Sequence, residues 1–362
     1  MQVRAQDDMP VAGLPVAGLP ACVAVFSTHD GQWEEVAQRY ALVIWHNHPS
    51  LVARLFRLRE KNPRFMACMY RELFCVQRDE TPLGETVGGY EWMVREHPDW
   101  FQRDLEGRVV EVPDYPGRFM MDLGNVGWQE HWIQRTLDDV KRGGWDGVFV
   151  DDALTSVKMH GLPRLANYGD DAALQEVVYG FLKKAHEALQ GEGKMLIANV
   201  SNSYDYPGLF EKWLGVTDGI MEEHFSGESW GWGPHVGREQ FEAMQRAQEA
   251  GKRYVCVTYG AWEDARLAEM SLVAYMIGAG EGAFWVYRPY KDAGEKFPVI
   301  PAWASNIGEP LGGRKRMGDI YYREFSNGTL FIDPRTSWFL IKMNRGRSPR
   351  SHLSASQPIA AQ

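Results

Sequence analysis

The chain has 362 residues, with Lys plus Arg at 39, Asp plus Glu at 48 and a formal net charge of −9. That balance argues against a nucleic-acid partner, which asks for basic patches; the clusters Arg314-Lys315-Arg316 and Arg345 to Arg350 read as solvated surface. No apolar run reaches the ~20 residues that span a bilayer, and the four cysteines show neither disulfide nor zinc spacing.

In chain order, residues 1–20 repeat Pro-Val-Ala-Gly-Leu and read as a flexible arm. The N-terminus lacks the basic-then-apolar order of a signal peptide, so the expected location is the cytoplasm as written, or export if a leader is missing. Eight strand-like runs follow: Cys22–Phe26, Ala41–Trp45, Arg64–Tyr70, Gly147–Asp151, Met195–Val200, Gly219–Glu223, Arg253–Thr258 and Gly282–Tyr287. Helical spacing fills most gaps between them, as with Leu174, Val178, Phe181, Leu182, Ala185 and Leu189 before Gly191 and Gly193. Strands alternating with helices predict an α/β fold, a (β/α)8 barrel over 21–315, with a doubly wound open sheet as the alternative.

The long connection from Glu72 to Asp146 is expected to shape a cleft and to contain a hairpin, Val109–Val112 with Arg118–Asp122. After the barrel, Ile320–Phe325 and Thr329–Ile332 flank Asn327-Gly328, which predicts a type I′ hairpin in a C-terminal extension over 316–343. The polar tail 344–362 reads as disordered.

Two runs carry the chemistry. Asp146-Gly147-Val148-Phe149-Val150-Asp151-Asp152 ends an apolar strand in paired carboxylates, and Asp218-Gly219-Ile220-Met221-Glu222-Glu223 repeats the pattern. The C-terminal ends of barrel strands are where catalytic groups sit, and two carboxylates are the minimal equipment for glycoside hydrolysis. Strand parity selects Asp151 as nucleophile or charged stabiliser and Glu223 as general acid/base. Asp152, Glu222 and Glu228 are the alternative or supporting carboxylates. A helix cap or a turn is the ordinary use of such groups.

His46, His48, Tyr70, Arg71, Asn199, Asn202, Tyr259 and Arg288 end other strands on the same expected face and are candidate substrate contacts. Trp230 and Trp232, in a glycine-rich loop past Glu223, are candidates for stacking on sugar rings. Trp128, Trp132 and Trp213 sit on helix faces and read as core. His46-Asn47-His48 raises a metal-dependent hydrolase as a rival, but the other strands lack the further ligands such a site needs. No metal and no organic cofactor is expected. A second rival is a barrel that binds glycan without cleaving it.

These segments resemble the barrel glycoside hydrolases of the endo-α-1,4-polygalactosaminidase type and related glycoside-hydrolase-like families. The resemblance rests on Asp146–Asp152, Met121-Asp122-Leu123-Gly124-Asn125, Asp218–Glu223 and the hairpin Tyr322–Thr329, and covers Cys22 to Trp338. It implies a carbohydrate substrate, Asp151 as the strand-four aspartate, and Glu223 or Glu222 as the strand-six glutamate. The doubled carboxylate at both places departs from the family pattern and leaves the working member of each pair open. Sugar, linkage, anomeric outcome and oligomeric state are not fixed by these motifs.

Overall fold

The structure, a computed structural model, describes residues 23–25, 33–79, 84–200, 202–226, 235–289, 299–336 and 338–344. The arm at 1–20, Glu228, Trp230, Trp232 and residues 345–362 lie outside the described residues.

Eight parallel strands form the core sheet: β1 (Val23–Val25), β2 (Leu42–Trp45), β3 (Met66–Glu72), β6 (Gly147–Asp151), β7 (Met195–Asn199), β8 (Gly219–Glu223), β9 (Arg253–Tyr259) and β10 (Ala283–Arg288). They pair in that order, and β1 lies against β10, so the sheet curls into a nearly closed barrel. Between β3 and β6 run β4 (Cys75–Gln77), α3 (Tyr90–Glu96), β5 (Arg118–Met120) and α4 (Val126–Gly143). The remaining crossovers are α1 (Trp33–Arg39), α2 (Pro49–Lys61), α5 (Asp171–Gly191), α6 (Leu209–Leu214), α7 (His235–Glu249) and α8 (Ala265–Gly278). Among the described residues, no helix is long and apolar enough to cross a membrane.

Parity divides each strand between two cores. Leu42, Ile44, Cys68, Phe149, Ile197, Met221, Val255, Val257, Phe284 and Val286 fill the barrel interior. The alternate residues, such as Val43, Met69, Val148 and Trp285, join the larger core under the helices. Trp128, Trp132 and Trp213 are buried there.

The repeated Asp-Gly pairs have a structural reason. Asp146 Oδ2 accepts the Ala67 amide at 2.8 Å, and Asp218 Oδ2 accepts the Leu196 amide at 2.9 Å. Each aspartate thus ties the start of its own strand to the start of the strand before it. The glycine that follows meets the next strand. A Cβ on Gly147 would stand 2.3 Å from the Met195 carbonyl oxygen, and one on Gly219 would stand 2.6 Å from Arg253 Cβ. The pairs therefore set the register of β3, β6, β7, β8 and β9 at the bottom of the barrel.

Both expected hairpins are present, and the turn of the second is corrected. Residues 109–112 meet 118–122 antiparallel through the Glu111–Phe119 bridge, with the Val112 amide donating to the Arg118 carbonyl and the Met120 amide to the Val110 carbonyl, both at 2.9 Å, and β5 pairs with β4 as well. The C-terminal hairpin is β12 (Ile320–Phe325) with β13 (Gly328–Asp333), and β11 (Lys315–Met317) and β14 (Trp338–Met343) extend it to a four-stranded antiparallel sheet. Phe325 pairs with Gly328, so the turn is Ser326-Asn327, and neither residue has the positive φ of a type I′ turn. Amides of Ser326 and Asn327 bond instead to the carbonyls of Glu309 and Ile307, just after α9 (Ala302–Asn306). Gly328 is needed for close approach, since a Cβ there would sit 2.7 Å from the Lys342 carbonyl oxygen. The sheet docks on α8 through Arg323, which donates to the carbonyls of Met276 and Ala279 at the helix end.

Because the Gly147 site has backbone on its open side, Gly147→Ala is expected to destabilise the protein by about 2–3 kcal/mol. Gly169→Ala, at a site with open space, serves as the control that should change little. Denaturant midpoints of the two variants check this.

Candidate active site

At the upper ends of the strands the inward parity that carries the barrel core continues into polar residues. Tyr70, Glu72, Asp151, Asn199, Glu223, Tyr259 and Arg288 each follow an interior residue by two positions on their strand or extend that series. The site is thus the top layer of the same barrel filling, with polar groups replacing apolar ones.

Asn199 sits at its centre. Its Nδ2 donates to Asp151 Oδ1 at 2.9 Å and to Glu223 Oε2 at 2.9 Å. Two acceptors on one nitrogen at these lengths are at most about 5.8 Å apart, and about 5 Å if each takes one amide hydrogen. The second oxygens are held by phenols: Tyr70 Oη donates to Asp151 Oδ2 at 2.7 Å and Tyr259 Oη to Glu223 Oε1 at 2.8 Å. Asp151 Oδ1 also accepts the Asp152 amide at 3.0 Å.

Burial pushes the Asp151 carboxyl up, and the charges of Asp152 and Glu223 push it further, to about 8. Burial raises Glu223 as well, against the hydrogen bonds from Tyr259 and Asn199. Two acids this close hold one proton between them near neutral pH. Both tyrosines are raised well above 10, by burial and then by the carboxylate each touches, so they stay donors.

A second acidic layer lies beside this pair. Oxygens of Glu72, Asp151 and Asp152 all fall within 4.8 Å of one another. Glu72 is completely buried, and burial, then the Asp152 and Asp151 charges, push it well above the usual carboxylate range. Arg118 opposes this by bonding Glu72 at 3.3 Å and Glu85 at 2.6 Å. Asp152 takes a left-handed φ of 50° and meets His160 Nε2 at 3.1 Å. Burial lowers the His160 pKa, but the Asp152 hydrogen bond and charge outweigh it and the net shift is upward. Among the described residues this carboxylate trio is the group whose oxygens converge as cation ligands do, although Asp151 Oδ1, Asp152 and both Glu72 oxygens already accept from nitrogen donors.

The other sequence candidates separate by geometry. His46 joins the site edge, with Nε2 3.2 Å from Glu85 and its ring 5.0 Å from Tyr70. His48 does not converge with it: its Nδ1 caps α2, taking the Ser50 amide at 3.2 Å. Arg71 is a correction. Odd parity turns it out of the barrel, where it pairs with Asp139 on α4 at 2.6 Å and is 1% exposed. Glu222 is turned outward in the same way and accepts from Gln240 at 3.2 Å. Arg288 lies near enough to Glu223 to lower its pKa, and its Nε donates to the Pro289 carbonyl. Asn202 adopts φ 69° before a short 3-10 turn, and its buried Oδ1 has no hydrogen-bond partner among the described residues. Glu72, Glu85, Arg118 and His160 were missed as site residues. Glu72 shares the inward parity of Tyr70, so its position was readable; the other three come from loops and a short strand with no periodic signal.

A near-closed parallel barrel with a carboxylate-rich centre at its C-terminal face defines the class: a (β/α)8 barrel with its polar site at the face where such barrels carry chemistry. The chain belongs to hypothetical glycosyl hydrolase family 15, whose sequence profile matches residues 59–329. It is therefore a glycoside hydrolase by family, and its substrate is a carbohydrate. A search of curated proteins gives no match. Among solved structures, the dextranase FjDex31A of Flavobacterium johnsoniae, complexed with glucose, is similar at 12% identity and TM-score 0.53, over 82% of this chain and 39% of that one. Aspergillus fumigatus Ega3 in complex with galactosamine gives 12% identity and TM-score 0.47, over 80% and 95%. The maltogenic α-amylase AmyB of Thermotoga neapolitana gives 13% and 0.49, over 87% and 85%.

Because the Asn199 hydrogen bond lowers the pKa of both carboxyls, Asn199→Ala is expected to raise both. Carbon-13 carboxyl titration by NMR checks this: both resonances should move at higher pH than in the wild type.

Proposed function

We propose that the protein hydrolyses glycosidic bonds of a polysaccharide or oligosaccharide with Asp151 as nucleophile and Glu223 as general acid/base. The observation that carries this reading is the shared Asn199 amide, which holds one oxygen of each half-buried carboxylate at 2.9 Å and so keeps those oxygens at most about 5.8 Å apart. That spacing suits direct attack at the anomeric carbon and retention of configuration; inversion asks for ~6.5–9.5 Å to seat a water.

Hydrogen-bond donors favour these roles. Asp151 accepts from Tyr70, Asn199 and the Asp152 amide, and two of those three can only donate. Those donors favour the ionised form that a nucleophile needs, against the burial and neighbouring charges that raise the Asp151 pKa. Glu223 accepts from Asn199 and from Tyr259, whose hydroxyl can rotate to accept instead. In the reactive form the one proton stands on Glu223, ready for the leaving oxygen. After departure Glu223 is a carboxylate and can take a proton from the attacking water. Asp152, held by His160, lies beside the pair, where a carboxylate favours an oxocarbenium-like transition state.

Reducing-end release from a panel of polysaccharides, including hexosamine and galactosamine polymers, tests the reading. Asp151→Asn and Glu223→Gln should each lower kcat by about a thousandfold or more, while melting temperature stays near the wild type. Release that survives both substitutions contradicts the assignment. Glycan binding without release on any polymer favours the non-catalytic barrel.

The pH profile gives a second check. The pair works with one proton, so kcat/KM should fall as the last proton leaves, at a pH above the ordinary carboxylate range. The Asp152 charge raises Asp151, so Asp152→Asn should move that alkaline limb to lower pH. A limb that stays or moves up contradicts the electrostatic account.

A further inference from the structure

We propose that the outer side of β3 carries a second ligand site, one that takes a phosphate group, either free or carried by a sugar. Arg71 is the odd-parity neighbour of Tyr70 and faces a cavity of about 230 Å³ between β3, the chain at 84–88 and α4. On α4, Arg135, Asp139 and Arg142 stand four and three residues apart, on one stripe, and all three line the same cavity.

The charges do not balance. Three guanidinium groups face one aspartate, whose oxygens are shared between Arg71, at 2.6 Å, and Arg142. Glu85 also lines the cavity, but its two oxygens are taken by His46 and Arg118. Among the described residues Arg135 makes no ion pair, and the buried Arg71 Nε has no hydrogen-bond partner. Against Asp139 and Glu85 the three guanidinium groups leave a surplus of one positive charge, and the exposed Arg135 and Arg142 offer forked donors that suit an anion. A phosphate monoester carries about −1.5 to −2 at pH 7 and accepts forked guanidinium bonds. Arg71 holds Asp139 and the Thr86 carbonyl from within, and the exposed Arg135 and Arg142 would meet such a group from α4. This site does not depend on the roles given to Asp151 and Glu223.

Isothermal titration of the full chain with inorganic phosphate and with glucose 6-phosphate, at constant ionic strength against chloride, tests the proposal. The wild type should bind at one site, saturably, and Arg135→Ala/Arg142→Ala should weaken binding at least about tenfold. Both residues are exposed, so a wild-type melting temperature is expected for the variant. Tighter binding of the sugar phosphate identifies a phosphoryl group on a larger molecule; equal or weaker binding identifies the free anion. Heats no larger than with chloride, or equal affinity in the variant, overturn the proposal.

Discussion

The structure depends on the register that two Asp-Gly pairs impose on neighbouring strands. Asp146 and Asp218 each bind a backbone amide of the preceding strand, and Gly147 and Gly219 admit the next strand where a methyl group would collide. Four residues above each glycine stands an inward carboxylate, Asp151 or Glu223. Slipping either strand by one residue would turn its carboxylate into the helix layer and bring Asp152 or Glu222 inward. The height and direction of the acidic pair are therefore fixed some 13 Å below it, at roughly 3.3 Å of rise per residue.

The second constraint is electrostatic. Four carboxylates, Glu72, Asp151, Asp152 and Glu223, share one poorly solvated cleft, and isolated buried charges of that kind are very unfavourable. The fold offsets the cost with donors rather than with cations inside the pair. Tyr70, Asn199 and Tyr259 supply directed hydrogen bonds, while Arg118 and His160 stand behind Glu72 and Asp152. The result is a pair of acids with elevated pKa values, held at a fixed spacing and able to exchange one proton. Such tuning is what a general acid near neutral pH requires.

Much of this was legible in the chain. Buried apolar runs between helical repeats define the eight strands, and period-two alternation places Asp151 and Glu223 on the interior side of theirs. The same rule, applied to β3, would have sent Arg71 outward and Glu72 inward; reading strand ends as a group hid that difference. His160, Glu85 and Arg118 could not be found that way, because a 3-10 turn, a loop and a three-residue strand have no period to read. The Asp-Gly repeat was visible, but as a spacing to the carboxylates. Its bottom half turned out to be the register device, which only the paired strands reveal. The Asn327-Gly328 turn misled because chain after α9 holds the preceding two residues and β14 claims the glycine.

The most direct test of the central claim is the configuration of the first sugar released, followed by proton NMR of the anomeric signals before mutarotation sets in. Carboxylates joined through one amide nitrogen predict that the product keeps the anomeric configuration of the bond cleaved. A product of inverted configuration would contradict that account, because it requires room for a water that this spacing does not give.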